Sequence, residues 1–200
     1  MRIILASNNK SKMREFRELL AGTDAETVSQ RDAGCDFEVE ETGTTFEENA
    51  FLKANAVMQA TGCIAVADDS GLVVDALNGE PGIYSARYGY GHEASDEARN
   101  EYLLERLGDE KQRSARFVCC ICCCLPDGNT ITARGECEGE ILDAPRGSNG
   151  FGYDPLFRPL GYDVSMAELS ADEKNAISHR GKAMREFIEK FKRYYNGIDK

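Results

Sequence analysis

Short apolar runs alternate along the chain with stretches whose apolar residues recur every three or four positions. The first run, Met1 to Ala6, predicts a strand that ends in the polar segment Ser7 to Lys12. Apolar residues at helical spacing then predict a helix that stops at Gly22: Met13, Phe16, Leu19 and Leu20. The chain is therefore expected to begin as a strand, a polar loop and a helix.

The irregular, acidic stretch Val28 to Glu41 separates this unit from a second predicted helix. Thr45 and Glu48 have the spacing of a capping box, so the helix is predicted to begin after Thr45. The last helix of the chain is predicted to begin after Ser178, with an apolar inner face: Ala183, Met184, Phe187, Ile188 and Phe191.

Between the helix that follows Thr45 and the last helix, the pattern predicts a further helix and then two strands. A helix is predicted from Ser95 to Gly108, a long strand from Arg113 to Leu125, and its hairpin partner from Thr130 to Leu142. Ser170 and Glu173 have the spacing of another capping box and predict a short helix.

The stretch around Asp68 and Asp69 combines an apolar run with two adjacent carboxylates. Cys63 to Ala67 predicts a buried strand that ends in the polar turn Asp68 to Gly71, and Leu72 to Leu77 predicts a further strand. Neighbouring carboxylates at a core edge resist burial unless a positive charge compensates them. Mg²⁺ is usually held by one or two carboxylates together with substrate phosphates. A metal-assisted site that handles phosphate is one hypothesis, and a solvated turn is the other.

Composition narrows the class of protein. The chain has 200 residues, 42% of them hydrophobic and 30% charged, which is typical of a globular protein, and residues 1–200 are expected to form a single domain. The net charge of −11 argues against binding of nucleic acid through a basic face. We expect no membrane partner, because no apolar run approaches the length of a membrane span. The N-terminus turns polar too soon for a signal peptide, which favours the cytoplasm.

Five of the eight cysteines lie within the predicted strand Arg113 to Leu125 and include two formal C-x-x-C pairs: Cys119, Cys120, Cys122, Cys123 and Cys124. Because successive side chains of a strand point to opposite faces, the partners of each pair diverge. The cluster is predicted to pack in the core as small hydrophobic residues in a reducing compartment, with a zinc or redox role as the alternative.

Three further segments carry candidate chemistry, each with a plain structural alternative. The loop Ser7 to Lys12 lies between a strand and a helix, an arrangement that binds anions, although a capped helix start is equally consistent. The glycine-rich segment Pro145 to Pro155 allows a planar ligand to approach, with Phe151 or Tyr153 stacking on it, or is an ordinary turn. His179 and Arg180 fall at a helix start, where positive side chains are unfavoured, which indicates either a site or two exposed residues.

Taken in order, these segments resemble the signature blocks of the inosine triphosphate pyrophosphatase family. Six blocks carry the resemblance, which extends from residue 3 to about residue 190: Ser7–Lys12, Thr45–Ala50, Ala67–Leu72, Pro81–Arg87, Phe151–Pro155 and Ser178–Gly181. Any one block is weakly specific, whereas six in order are very specific. One departure is Ser11, where the family loop commonly has glycine, and serine is expected to lower affinity for the ligand if the backbone there needs a positive φ.

The resemblance implies an α/β fold with a long mixed central sheet and two lobes around a cleft, usually in a homodimer. It also implies hydrolysis of non-standard purine nucleoside triphosphates (ITP, dITP, XTP, dXTP) between the α- and β-phosphates. The expected cofactor is Mg²⁺, and the expected products are the nucleoside monophosphate and pyrophosphate.

The resemblance further implies roles for individual residues. Asp69 is expected to be the general base and, with Glu41 and Glu40, to hold the metal, although Glu40 and Glu41 cannot be ranked. The residues expected to bind the substrate are Ser7, Asn8, Asn9, Lys10, Ser11, Lys12, Ser70, Phe151, Gly152, Tyr153, Asp154, Lys174, His179 and Arg180.

Within this set, Phe151 is expected to stack on the purine, while His179 and Arg180 read its 6-position. An arginine has only donors, so it pairs with a 6-oxo group and rejects a 6-amino group. A catalytically silent nucleotide sensor on the same fold is the remaining alternative, and Asp68, Asp69 and Glu41 argue against it.

Overall fold

The computed structural model describes residues 2–7, 13–14, 16–17, 26–91 and 93–197. Among these residues, six strands form one sheet, in the order β2-β1-β3-β4-β5-β6. The strands are β1 (Arg2–Leu5), β2 (Glu26–Ser29), β3 (Ile64–Val74), β4 (Ser114–Cys124), β5 (Thr130–Ile141) and β6 (Phe157–Pro159). The longer helices are α1 (Phe46–Thr61), α2 (Asp96–Leu107), α3 (Ala171–Ile177) and α4 (His179–Tyr195), and the described residues at 13–14 and 16–17 are also helical.

The sheet is mixed. β1 pairs in parallel with both β2 and β3, with Ile4 opposite Val28 on one side and Ala65 on the other. β5 pairs antiparallel with β6, with Ile141 opposite Phe157. The predicted α/β class with a mixed sheet is therefore confirmed. No helix of the described residues is both long and apolar enough to cross a bilayer.

The sequence prediction is wrong within β3, at the end of β3 and at the start of the stretch Val28 to Glu41. β3 runs without a break through Asp68–Gly71 to Val74, so the predicted polar turn there is wrong, and 75–77 form a 3₁₀ turn rather than a strand. The start of Val28 to Glu41, expected to be irregular, belongs to β2. Asp68 and Asp69 stay inside β3 because α1 and β4 supply partners for their carboxylates.

The caps of the helices match the predictions more closely. Ser170 and Glu173 form the predicted capping box at α3, and Ser178 Oγ accepts from the Gly181 amide, 3.0 Å away, at the start of α4. Thr45 caps α1, but the Glu48 carboxylate accepts from the amide of Thr44 instead of Thr45. The reciprocal half of that capping box is therefore shifted by one residue.

The chain divides into two compact units. The first comprises Met1–Asp69, Cys119–Gly135 and Lys182–Lys200, and the second comprises Ser70–Val118 and Glu136–Gly181. The second unit has its own apolar core, in which Leu72, Leu103 and Phe157 are fully buried.

The cysteines of β4 contribute to both cores of the first unit. Cys119 and Cys123 pack in one core with Met184 and Phe187 of α4, whereas Cys122 and Cys124 pack in the other with residues of α1. All of them are free thiols with at most 1% exposure. Their predicted role as buried, divergent core residues is confirmed.

In the first unit, α4 covers the outer backbone of β5. The Glu186 carboxylate accepts from the Arg134 amide at 3.1 Å, and the Lys190 ammonium donates to the Thr132 carbonyl at 2.8 Å. Glu186 and Lys190 also pair with each other at 2.6 Å. β6 pairs with β5 at residues 139–141 and leaves 132–134 to this side-chain pair.

Candidate active site

Asp68 and Asp69 lie in the middle of β3 and are both buried, with 3% and 6% exposure. As neighbours in a strand they point to opposite faces. The Cys119 thiol lies 3.9 Å from Asp68 Oδ2, and the Asn49 amide donates to Asp69 Oδ2 at 3.4 Å. The two carboxylates therefore have different hydrogen-bond partners, and those of Asp69 include Asn49 and Lys53 of α1.

Lys53 of α1 joins Asp69 to Glu41. Its ammonium lies 2.6 Å from Glu41 Oε1 and 3.2 Å from Asp69 Oδ1, and we call these three residues the Lys53 cluster. The Lys53 side chain is 16% exposed. Burial lowers the pKa of Lys53, but the charges of Asp69 and Glu41 outweigh it and raise the pKa above its ordinary value. Lys53 is therefore a cation held between two carboxylates.

This arrangement suits a divalent metal ion. The Glu41 and Asp69 carboxylates already converge on one positive charge, and carboxylate oxygens are the ligands that hard cations such as Mg²⁺ prefer. The described residues contain no group of three or more His, Cys, Asp or Glu side chains arranged to hold a metal. Two carboxylates with substrate phosphates would complete a magnesium site, whereas they do not make a closed structural one.

Glu40 and Glu41, which the sequence could not rank as metal ligands, have different surroundings in the structure. Glu41 is half-buried and contacts Lys53, while the neighbouring Glu40 is exposed. Among the described residues, Glu41 is therefore the better placed of the two to share a cation with Asp69.

Sequence reasoning missed Lys53. Asn49, Lys53 and Val57 recur at four-residue spacing on α1, and Asn49 and Val57 are fully buried. A lysine on the inner stripe of an amphipathic helix is a signal that helical periodicity makes visible. Buried lysines need an acidic partner, which Asp69 and Glu41 provide.

A second group of candidate residues surrounds the loop Phe151–Asp154 in the second unit. Asp154 Oδ2 accepts from the Phe151 amide at 2.9 Å and from the Lys174 ammonium at 2.8 Å. Asp154 and Lys174 are both buried. The Lys174 ammonium lies 5.1 Å from the centroid of the Phe151 ring, within the range of cation–π attraction.

Arg180 approaches the same ring from the start of α4. Its guanidinium carbon lies 5.6 Å from the Phe151 centroid, and its Nη2 donates to Ser70 Oγ at 3.0 Å. The His179 ring stacks on Phe117, with centroids 4.8 Å apart. His179 and Arg180 are 6% and 2% exposed, so the interpretation of two exposed residues is wrong.

Tyr153 is tied to a different part of the second unit. Its hydroxyl donates to the Ser85 carbonyl at 2.9 Å, and the Ser85 hydroxyl in turn accepts from the Leu72 amide at 2.9 Å. Tyr153 is 4% exposed. A buried tyrosine whose hydroxyl is hydrogen-bonded to Ser85 is a support for the loop rather than a surface available for stacking.

The structure thus gathers the predicted site residues into two groups, one in each unit. The chain passes from the first unit to the second at the Asp69–Ser70 peptide. Ser7 is half-buried at the end of the segment that follows β1. The predicted phosphate-binding residues Asn8, Asn9, Lys10, Ser11 and Lys12 lie outside the described residues.

Comparison with known proteins gives a consistent result. A family profile described as the Ham1 family matches residues 3–190. A dITP/XTP pyrophosphatase of Bacillus anthracis is 48% identical over 199 residues, covering 98% of each chain, and one of Geobacter sulfurreducens is 51% identical over 185 residues, covering 92% of each. The structure of the Staphylococcus aureus Ham1 protein superposes with a TM-score of 0.86 at 46% identity and covers 100% of both chains. Sequence, fold and length agree, and the chain belongs to the Ham1 family, as the resemblance of its six sequence blocks predicted.

Proposed function

We propose that the chain hydrolyses ITP, dITP, XTP and dXTP to the nucleoside monophosphate and pyrophosphate, with Mg²⁺ as the metal. The observation that carries the proposal is the near full-length identity of 48% to a dITP/XTP pyrophosphatase. Such an enzyme removes deaminated purines from the nucleotide pool. The reaction has three chemical requirements, and residues of the Lys53 cluster and of the Phe151 loop are proposed to meet them.

The first requirement is a charged site for the triphosphate. Glu41 and Asp69 would hold the metal ion, which neutralises phosphate charge and aligns the reacting groups when it is bound. Lys53, which stays protonated between these carboxylates, adds a positive charge that stabilises the phosphates and the pyrophosphate leaving group.

The second requirement is a base. Asp69 would accept the proton of the water that attacks the α-phosphorus, while the bond from that phosphorus to the bridging oxygen breaks. Asn49 and Lys53 hold the carboxylate of Asp69 from the α1 side, which keeps it in one orientation. General bases of this kind contribute about 10²–10⁴-fold to the rate.

The third requirement is discrimination between the purine bases of different nucleotides. We propose that Phe151 stacks on the purine, while Arg180 donates a hydrogen bond to its 6-oxo group. Arg180 is 2% exposed and its guanidinium carries only donors, so an adenine 6-amino group would leave buried donors unsatisfied. Guanine also carries a 6-oxo group, and its rejection has to involve the 2-position.

The remaining expectations concern the setting of the enzyme. We propose that the chain acts as a homodimer in the cytoplasm, with the purine nucleoside triphosphate as its partner and without nucleic acid or membrane. Sedimentation of the purified chain tests the dimer, and a monomer at micromolar concentration would contradict it.

A panel of nucleoside triphosphates tests the activity. With Mg²⁺, dITP and XTP should release pyrophosphate, while dATP and dGTP should react at least about 10²-fold more slowly. Replacing Mg²⁺ with EDTA should abolish release. Orthophosphate as the first product would indicate a γ-phosphatase instead, and binding of dITP without turnover would indicate a sensor.

A further inference from the structure

Both backbone groups of Gly152, the residue after Phe151, are held by side chains of α2. The Gly152 amide donates to Asp96 Oδ2 at 2.6 Å, and the Gly152 carbonyl accepts from Asn100 Nδ2 at 3.0 Å. Asp96 and Asn100 are four residues apart, so they lie on the same face of α2, one turn from each other. Asn100 is 5% exposed.

The same short stretch is held from its other side as well. The Phe151 amide donates to Asp154 Oδ2 at 2.9 Å, and the Phe151 carbonyl accepts from the Asp154 amide at 3.3 Å. Every backbone polar group from the amide of Phe151 to the carbonyl of Gly152 therefore has a partner. Gly152 has a φ of +62°, a left-handed conformation that needs such support to be the single one populated.

Asp96 is itself fixed. Its other carboxylate oxygen, Oδ1, lies 2.5 Å from Arg99 Nη2, and Arg99 Nη1 donates to the Ala94 carbonyl at 2.6 Å. The Arg99 side chain is 13% exposed. The Asp96 carboxylate, at the start of α2, is thus held by two partners. It cannot rotate away from Gly152 without breaking a partly buried ion pair.

We propose that Asp96 and Asn100 are positioning residues that hold the Phe151 ring in the orientation required for purine stacking. This inference rests on the function proposed above and assigns to α2 a part in recognition of the base. Binding sites gain affinity when a loop is ordered before the ligand arrives, because the ordering entropy is then not lost on binding. Neither residue is placed against the phosphates or the attacking water.

The order of the loop is measurable without any substrate. The chain contains no tryptophan, so Phe151→Trp introduces a single tryptophan, excited selectively over the tyrosines, at the ring in question. In that background, Asp96→Ala and Asn100→Ala should raise acrylamide quenching about twofold, because the loop becomes mobile. Asp96→Asn should stay near the parent value, because it loses the charge but keeps an acceptor for the Gly152 amide.

Two variants control for effects on the helix and on folding. Glu97→Gln removes an acidic residue from the same first turn of α2 without touching the loop, so quenching should not change. Asn100→Leu is close in size and removes the donor without burying a charge, so it serves as the readout if Asn100→Ala fails to fold. Unchanged quenching in Asp96→Ala and in the folded Asn100 variant overturns the proposal.

Kinetics on the unmodified background give the second readout. Asp96→Ala and Asn100→Leu should raise KM for dITP about fivefold, the size of one lost aromatic stacking contact. Hydrolysis of ribose 5-triphosphate, which lacks a base, should not change. An equal loss on both substrates would show a general structural role and overturn the proposal. A wild-type chain inactive on dITP would instead defeat the proposed function, with the quenching result still standing.

Discussion

Replacing Lys53 with methionine is the perturbation that most directly tests the Lys53 cluster. Methionine keeps the apolar stem and removes the ammonium that lies 2.6 Å from Glu41 and 3.2 Å from Asp69. The two carboxylates, with exposures of 24% and 8%, then lose the ammonium that they share. We therefore expect Lys53→Met to destabilise the fold and to turn it into a stronger binder of divalent cations.

The magnitude follows from burial. Removing one partner of a buried ion pair costs about 3–5 kcal/mol, and we expect the lower end, about 3 kcal/mol, because Glu41 keeps some contact with water. For a chain of this size, each kcal/mol shifts Tm by about 2–4 °C, so Tm should fall by about 6–12 °C. Lys192→Met, an exposed lysine of α4, is the control and should stay within about 0.5 kcal/mol of wild type.

Titration with Mg²⁺ during thermal unfolding distinguishes a cation site from a simple ion pair. In Lys53→Met the metal takes the position of the missing charge, so it should stabilise this variant by about 1.4 kcal/mol at ten times its dissociation constant. Wild type should respond less, because its own ammonium competes for the two carboxylates. If Mg²⁺ stabilises both proteins equally, or if Lys53→Met melts with wild type, the assignment of this cluster as a metal site is refuted.

Three further predictions concern other parts of the molecule. Asp69→Asn should lower kcat on dITP by about 10²–10⁴-fold while Kd for the nucleotide stays within a few-fold, measured by pyrophosphate release and calorimetry, and unchanged turnover would contradict the base assignment. The hydrogen bond and charge of Lys190 hold the pKa of Glu186 below its ordinary value of 4.5. This stabilisation is therefore present above pH 4.5 and disappears as the pH falls through the lowered pKa. Urea unfolding should show Lys190→Met less stable than wild type at neutral pH by about 0.5 kcal/mol, and the difference should narrow in acid to what the Lys190 hydrogen bond to Thr132 contributes. Gly181→Ala should cost about 1–3 kcal/mol although alanine favours helices, because its Cβ would lie 2.0 Å from the Asn175 carbonyl oxygen, and chemical denaturation that finds it neutral would show that the backbone gives way.

Local rules in the sequence were enough for the parts of the fold that depend on neighbouring residues. The capping box of Ser170 and Glu173 and the divergence of the β4 cysteines follow from the helical and strand periods alone. The continuous β3 strand was not predictable in this way. Asp68 to Ser70 has the composition of a turn, and partners from distant segments, among them Lys53 and Arg180, keep it within the sheet.

The candidate site shows the same division. Asp69, Phe151 and Arg180 were predicted as site residues because their residue types carry chemistry in a family pattern. The structure adds their contacts, and their roles stay predictions. Lys53 was not predicted as a site residue, although its four-residue spacing from buried Asn49 and Val57 places it on the inner face of α1. The two α2 residues that hold Gly152 gave no signal in the sequence, because a hydrogen bond to a loop more than fifty positions away leaves no trace in local spacing.

The covering of β5 by α4 has a consequence for how the protein behaves when it is concentrated. Exposed strand margins recruit strands from other molecules, and this is a common route to aggregation. Here the amide of Arg134 and the carbonyl of Thr132 are already bonded by Glu186 and Lys190, so an incoming strand would first have to displace an acid–base pair. The last helix thereby opposes the addition of a further strand at this margin.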